Sequence, residues 1–289
     1  MESRSKGAIF MLAAACFFAM TAAVVKSLTG IPVAEKVFFR NVISLVPIIV
    51  LAYKKQESKK YLAGNNKPFL ILRGVLGLIA TGGYYYALSN APLADTVTLT
   101  NIYPFFVIIF SWVFIKEKIR KVHIYTFLLS LLGAVLIIRP QFHSINIFYI
   151  FAFFSAVFTG AAYTNIKHLQ KTDDTLVIMF YYSLITAVAF LPFVFMGHFV
   201  IPKGWGLFKL LVLGLTGTLY QTCMTSAYKY APAGEIAIYS YASIVFSGII
   251  GLVIWSEIPT LLSVTGSALI ILAAFINYKA RHFEKNEPV

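Results

Sequence analysis

APLADTVTLTNIYPFFVIIFSWVFIKEK (residues 91–118) and YKYAPAGEIAIYSYASIVFSGIIGLVIWSE (residues 228–257) decide the fold of this chain. Each contains an Ala-Pro pair, then one carboxylate, Asp95 or Glu235. An uncharged run of about twenty residues follows and ends near Glu117 or at Glu257. A hydrocarbon core roughly 30 Å thick needs about 20 residues rising 1.5 Å each, so both runs read as membrane-crossing helices. Strands of a membrane barrel would alternate polar and apolar positions; residues 245–255 are apolar nearly throughout.

The rest of the chain agrees. Hydrophobic residues make up 59% of 289 positions and charged residues 12%, with mean hydropathy +0.80. A soluble domain is about a quarter charged, because water must cover its surface. The bilayer has to be the missing apolar solvent. Ten candidate spans follow: 7–28, 33–53, 68–89, 94–115, 122–138, 146–166, 175–196, 206–228, 235–255 and 261–278. The first is not a signal peptide, since it lacks a small-residue cleavage site and further spans follow at once. Cys16 and Cys223 both lie inside apolar runs and read as packing residues.

Lys and Arg in short loops set the orientation. With the amino terminus inside, the cytoplasmic set is Arg4, Lys6, the lysines at 54, 55, 59, 60 and 67, Lys116, Lys118, Arg120, Lys121, Lys167, Lys171, Lys279, Arg281 and Lys285. Only Arg139, Lys203 and Lys229 are assigned to the other side. Both termini are therefore expected in the cytoplasm. The +13 net charge reads as topology, with no nucleic-acid partner.

The chain also matches itself. Ala91-Pro92 returns as Ala231-Pro232, Gly74 as Gly214, Gly77 as Gly217, Ala87 as Ala227 and Glu117 as Glu257, all at one offset of 140. Lys26 and Lys167, Phe17 and Phe158, and Leu28 and Leu169 repeat at 141; Leu132-Gly133 corresponds to Thr265-Gly266 at 133. The expected architecture is all-α, ten helices in two five-helix repeats, 1–141 and 142–289. Five is odd, so the second repeat enters the membrane inverted, a recurring plan of secondary transporters whose solute site lies at the repeat interface.

Several segments carry a family resemblance: residues 91–118 after RGVLGLIATGGYYYAL (73–88), EKVFFRN (35–41) with its Arg, LLGAVLIIRP (131–140), and the second-half copy 228–257. They resemble the drug/metabolite transporter superfamily in its ten-helix EamA-like branch. The resemblance implies a carrier of small solutes, with exporters of amino acids and other metabolites among its members. A fold of such breadth does not select the solute.

Ionisable and polar groups inside the spans are the site candidates. Arg40 either clamps a substrate anion bidentately or locks its helix by binding carbonyls or Glu35. Lys26 and Arg73, near span ends, are read as snorkelling to the interface. Asp95 and Glu235 open the fourth and ninth spans, as helix caps or as outer-gate or proton-coupling groups. Glu117 and Glu257 are read as cytoplasmic bracing or gating groups at the far ends of those spans. Thr100, Asn101 and Tyr103 precede Pro104, whose missing amide should kink the span and free a carbonyl near Thr100. Glu235, Tyr239, Ser243 and Ser247 form a stripe at every fourth position of the ninth span. Met20, Thr21, Thr159, Tyr163, Tyr220 and Gln221 lie at matching depth. The substrate-binding set is Arg40, Thr100, Asn101, Tyr103, Tyr163, Tyr220, Gln221, Tyr239 and Ser243, in a cavity walled by spans one, three, four, six, eight and nine, with five and ten outside.

No phosphate loop, nucleophile elbow or metal-spaced His pair is present in the sequence, so no cofactor, metal or catalytic residue is assigned. The expectation is a secondary carrier, exporting amino acids or related amphipathic solutes across a bacterial inner membrane. The alternatives are a carrier of anions such as organic acids or nucleotide derivatives and, from another class, an intramembrane lipid-modifying enzyme.

Overall fold

The computed structural model describes residues 2–54, 62–115, 121–138, 146–196, 200, 203–230 and 239–284. Glu117 and Glu235 lie outside them. The described residues are helical, with no strand among them: α1 Glu2–Ser27, α2 Val33–Tyr53, α3 Lys67–Asn90, α4 Leu93–Thr100, α5 Tyr103–Ile115, α6 Lys121–Ile138, α7 Ile147–Leu169, α8 Thr175–Met196, α9 Trp205–Tyr230, α10 Ala242–Trp255 and α11 Leu261–Glu284. Eight helical segments among them are long and apolar enough to cross a membrane. One of these, Leu93–Phe114, joins α4 and α5; Ala242–Trp255 and Leu261–Ile276 are shorter apolar helices.

The helices turn their polar sides inward, the reverse of a water-soluble bundle. On α2, Arg40, Asn41 and Ser44 are buried while Val46, Val50 and Leu51 are exposed. Such an apolar exterior suits hydrocarbon, and the interior must then satisfy its own polar groups. Ser44, Thr98, Thr100, Thr126 and Thr216 each donate to the carbonyl four residues earlier.

The sequence repeat is visible as reciprocal packing. Helix α1 packs along α9, and its repeat mate α7 packs along α3, the mate of α9. Gly74 on α3 receives Ile185 of α8, while Gly214 on α9 receives Ile43 of α2. Helices α6 and α11 are mates that pack directly on each other. A Cβ on Gly133 would lie 2.6 Å from the Gly266 carbonyl oxygen, and one on Gly266 would lie 2.6 Å from that of Gly133. Phe10 stacks on Tyr230 at 5.5 Å, and Lys209 Nζ donates to the Ser27 carbonyl at 3.0 Å, so α1 and α9 are antiparallel. Gln170 Nε2 donates to the Thr225 carbonyl, so α7 ends beside the end of α9 and runs opposite to α1.

Two sequence expectations are corrected here. Lys229, at the end of α9, lies on the face where α1 begins, beside Tyr230 and Phe10, and joins the basic side. Glu257, expected beside Glu117 at the cytoplasmic end, sits on the opposite face with Lys26 and Leu93. Repeat mates of antiparallel helices occupy opposite faces.

Because a backbone oxygen cannot retreat as a flexible side chain can, Gly133→Ala should lower the unfolding midpoint of the detergent-purified protein, at a cost of about 1–3 kcal/mol. An unchanged midpoint would show that α6 and α11 separate freely.

Candidate functional site

Between the two halves lies a cavity with about 790 Å³ of atom-free space, any open solvent at its mouth included. The break between α4 and α5 opens into it. Pro104 has no amide to continue the ladder, and the chain turns at Asn101 and Ile102 before α5 begins. Asn101 Nδ2, at the break, donates to the Val97 carbonyl at 2.8 Å and to Ser243 Oγ at 3.0 Å on α10. The second half breaks at the corresponding place, with a turn at Tyr241 ahead of α10.

Of the residues singled out in the sequence, Arg40, Thr100, Asn101, Tyr103, Tyr163, Tyr220, Gln221 and Ser243 line this cavity, with Thr21 and Thr159. Tyr239 does not: it lies ahead of the Tyr241 turn, packed against the apolar core, because the four-residue stripe assumed one unbroken helix. Met20 is 40% exposed and Ser247 is buried away from the lining. Helices α6 and α11 contribute no lining residue.

Spans two and seven do reach the cavity, through Arg40 and Tyr182. Arg40 Nη1 donates to Tyr182 Oη at 2.5 Å and lies near Asn41 Oδ1 at 3.4 Å. Glu35 is not its partner, since Glu35 Oε1 accepts the Val200 amide at 3.0 Å. Arg73, expected to snorkel, is 3% exposed and lines the cavity, its guanidinium carbon 4.4 Å from the Tyr182 ring centroid. Lys67 starts α3 and Arg73 follows six residues later, roughly 9 Å deeper along the axis, so a position beyond the interface was legible.

Aromatic rings and small apolar residues make up the wall between these polar groups. Phe18 stacks on Tyr84 at 5.2 Å and tilts against Tyr220 at 4.9 Å. The Tyr163 and Tyr220 hydroxyls are 2.7 Å apart, and Tyr103 meets Tyr163 edge-on at 5.0 Å. The Tyr84 and Tyr85 hydroxyls are buried without a partner and line the cavity. A solute there meets flat apolar faces interrupted by hydroxyl, amide and guanidinium groups.

Acidic residues tie helices together at one face of the bundle. Glu257 pairs with Lys26, and its Oε2 accepts the Leu93 amide at 2.9 Å, so a carboxylate from the second half caps α4 in the first. Lys26 Nζ also donates to the Ala91 carbonyl at 3.1 Å, which replaces the snorkelling expected of it. Asp95 is buried and accepts Tyr149 Oη at 2.9 Å, tying α4 to α7.

A family model described as the EamA-like transporter family matches residues 5–139 and again 146–279. The pseudopaline exporter of Pseudomonas aeruginosa is 33% identical over 267 residues, covering 91% of this chain and 92% of that protein. Human solute carrier family 35 member G1 is 29% identical, covering 95% of this chain and 79% of its own length. The S-adenosylmethionine uptake transporter of Rickettsia felis is 28% identical, covering 86% and 83%. A solved crystal structure shares the fold at TM-score 0.69 and 19% identity, covering 97% of this chain and 99% of that one.

Replacing Glu257 by Ala would leave the Leu93 amide without its acceptor and the Lys26 ammonium with the Ala91 carbonyl but no counter-charge. Since the pair is half-buried, the expected loss is about 1–3 kcal/mol of stability, read as a lower unfolding midpoint. Lys26→Met together with Glu257→Met should recover most of it. If the double variant is no better than the single one, the pairing is not what holds α4.

Proposed function

The chain belongs to the EamA-like transporter family, and from that premise we propose that it is a secondary carrier that exports small amphipathic metabolites, amino acids or related zwitterions, by alternating access. Family membership makes it a multi-pass membrane transporter and not an enzyme; the solute, direction and mechanism are the proposal. One observation carries it: both halves wall one central cavity, and residues of the two halves meet there across the repeat interface, Arg40 with Tyr182 and Asn101 with Ser243. Two similar halves of opposite direction have two related packings, each suited to opening one side.

In this reading the chain crosses a bacterial inner membrane ten times, as inverted repeats 1–141 and 142–289 with both termini cytoplasmic. Arg40, Thr100, Asn101, Tyr103, Tyr163, Tyr220, Gln221 and Ser243 contact the solute, and Tyr239 supports the α10 break from behind. Lys26, Glu257 and Asp95 hold the outer face closed, while Glu117 and Glu235 act at the inner face. Asp95 and Glu235 are the carboxylates available for proton coupling. A second reading, transport of anionic metabolites such as organic acids or nucleotide derivatives, is favoured by the second arginine in the cavity wall.

Reconstituted protein should show saturable uptake of labelled solute that is accelerated by unlabelled solute trapped inside the vesicles. Flux that does not saturate and ignores the trapped solute would sink the carrier reading in favour of a pore. For orientation, a cysteine added after Val289 should resist an impermeant thiol reagent applied to intact cells and react once the membrane is opened. Labelling from outside would refute the arrangement of the termini.

A further inference from the structure

The cavity wall contains two cations and, among the described residues, no carboxylate. Arg40 and Arg73 are each 3% exposed and both lie over the one Tyr182 ring, at 5.4 and 4.4 Å from its centroid. Four described carboxylates make their contacts elsewhere: Glu35 Oε1 with the Val200 amide, Asp95 with Tyr149, Asp173 with the Asn65 and Asn66 amides, and Glu257 with Lys26. Three guanidinium nitrogens, Arg40 Nε and Arg73 Nε and Nη1, are buried without any hydrogen-bond partner.

A guanidinium removed from water without a counter-charge is strongly unfavourable, and a phenol face replaces only part of the lost hydration. Arg73 is the sharper case, because a lock would show bonds to neighbouring helices and neither of these nitrogens makes one. The backbone also makes room for both heads. A Cβ on Gly217 would lie 2.7 Å from Arg40 Nε, and one on its repeat mate Gly77 would collide with Arg73 Nη1. Two seated guanidinium groups that share one cavity and have no counter-charge in its wall match two negative charges better than one.

We propose that Arg40 and Arg73, braced on Tyr182, form a dianion subsite. The transported solute carries two negative charges at one end, as neighbouring carboxylates or as one phosphate ester. Its apolar body lies along Phe18, Tyr84, Tyr163 and Tyr220. This rests on the reading that the cavity is the solute site, and it deepens the second reading above, the carrier of anions, in place of the zwitterion.

The test measures binding to purified protein in nanodiscs at pH 8 and does not depend on flux. The probes are N-benzoyl-L-aspartate, phenyl phosphate and the monoanion N-benzoyl-L-asparagine. At least one dianion should bind about tenfold or more tightly than the monoanion, as expected for an added charge-assisted contact; whichever it is identifies the head as dicarboxylate or phosphate. Arg73→Met, which replaces a buried charge by an apolar group of similar length, should erase that preference, so that the dianion binds no more tightly than the monoanion, without lowering the unfolding midpoint. Arg73→Lys, used if the methionine variant does not fold, should restore charge without the fork and recover only part of the preference. Equal binding of all three probes, no binding of any, or an undiminished preference in both variants overturns the proposal. Saturable amino-acid exchange without dianion preference would refute the subsite and leave the carrier standing. Dianion binding with no exchange would do the reverse.

Discussion

Lipid tails solvate a leucine about as well as a neighbouring helix does, so no hydrophobic force presses the two halves of this bundle together. Association has to come from close backbone approach and from hydrogen bonds across the seam. The seam is built accordingly. Gly133 and Gly266 bring α6 and α11 together with no side chain between their backbones at that point, and Gly74 and Gly214 take in Ile185 and Ile43. Those contacts leave the remaining helices to enclose a cavity instead of filling it. Without the glycine seam the cavity has no fixed walls.

Polar groups follow from the same constraint. Each break in a helix exposes backbone that must be satisfied where water is absent, and here the breaks at Asn101 and Tyr241 sit against each other, with Asn101 bonded to Ser243. The side-chain amide at the break of one half thus reaches into the other. At the end of the bundle where α1 finishes the logic recurs in ionic form, with Glu257 supplying both a counter-charge to Lys26 and an acceptor for the first amide of α4.

Much of this was legible in the sequence. Hydropathy located the helices to within a few residues over most of their length, and paired Pro, Gly and Glu exposed the repeat. Depth along each span brought Arg40, Asn101, Tyr103, Tyr163 and Tyr220 to one place. What stayed hidden needed azimuth or sidedness. Tyr239 shares a four-residue stripe with Ser243, but a turn at Tyr241 separates the two. Glu257 was assigned to the wrong face because a match in sequence says nothing of direction until inversion is applied to it. Tyr182 carried no signal of its own: a tyrosine in an apolar run becomes informative only when two arginines are found over its ring.

The Arg40–Tyr182 contact says something about ancestry. Counted by the register that equates Ile43 with Ile185, position 40 corresponds to position 182, so the two residues are equivalent places in the two halves and touch where the halves' symmetry axis passes. In a dimer of identical chains any residue on the axis meets its own copy. Arginine there would confront arginine with like charge, and tyrosine would confront tyrosine with no cation between them. Only when the two halves are free to differ can one supply the guanidinium and the other the phenol. The heart of this cavity is a heterodimer's solution, written within a single polypeptide.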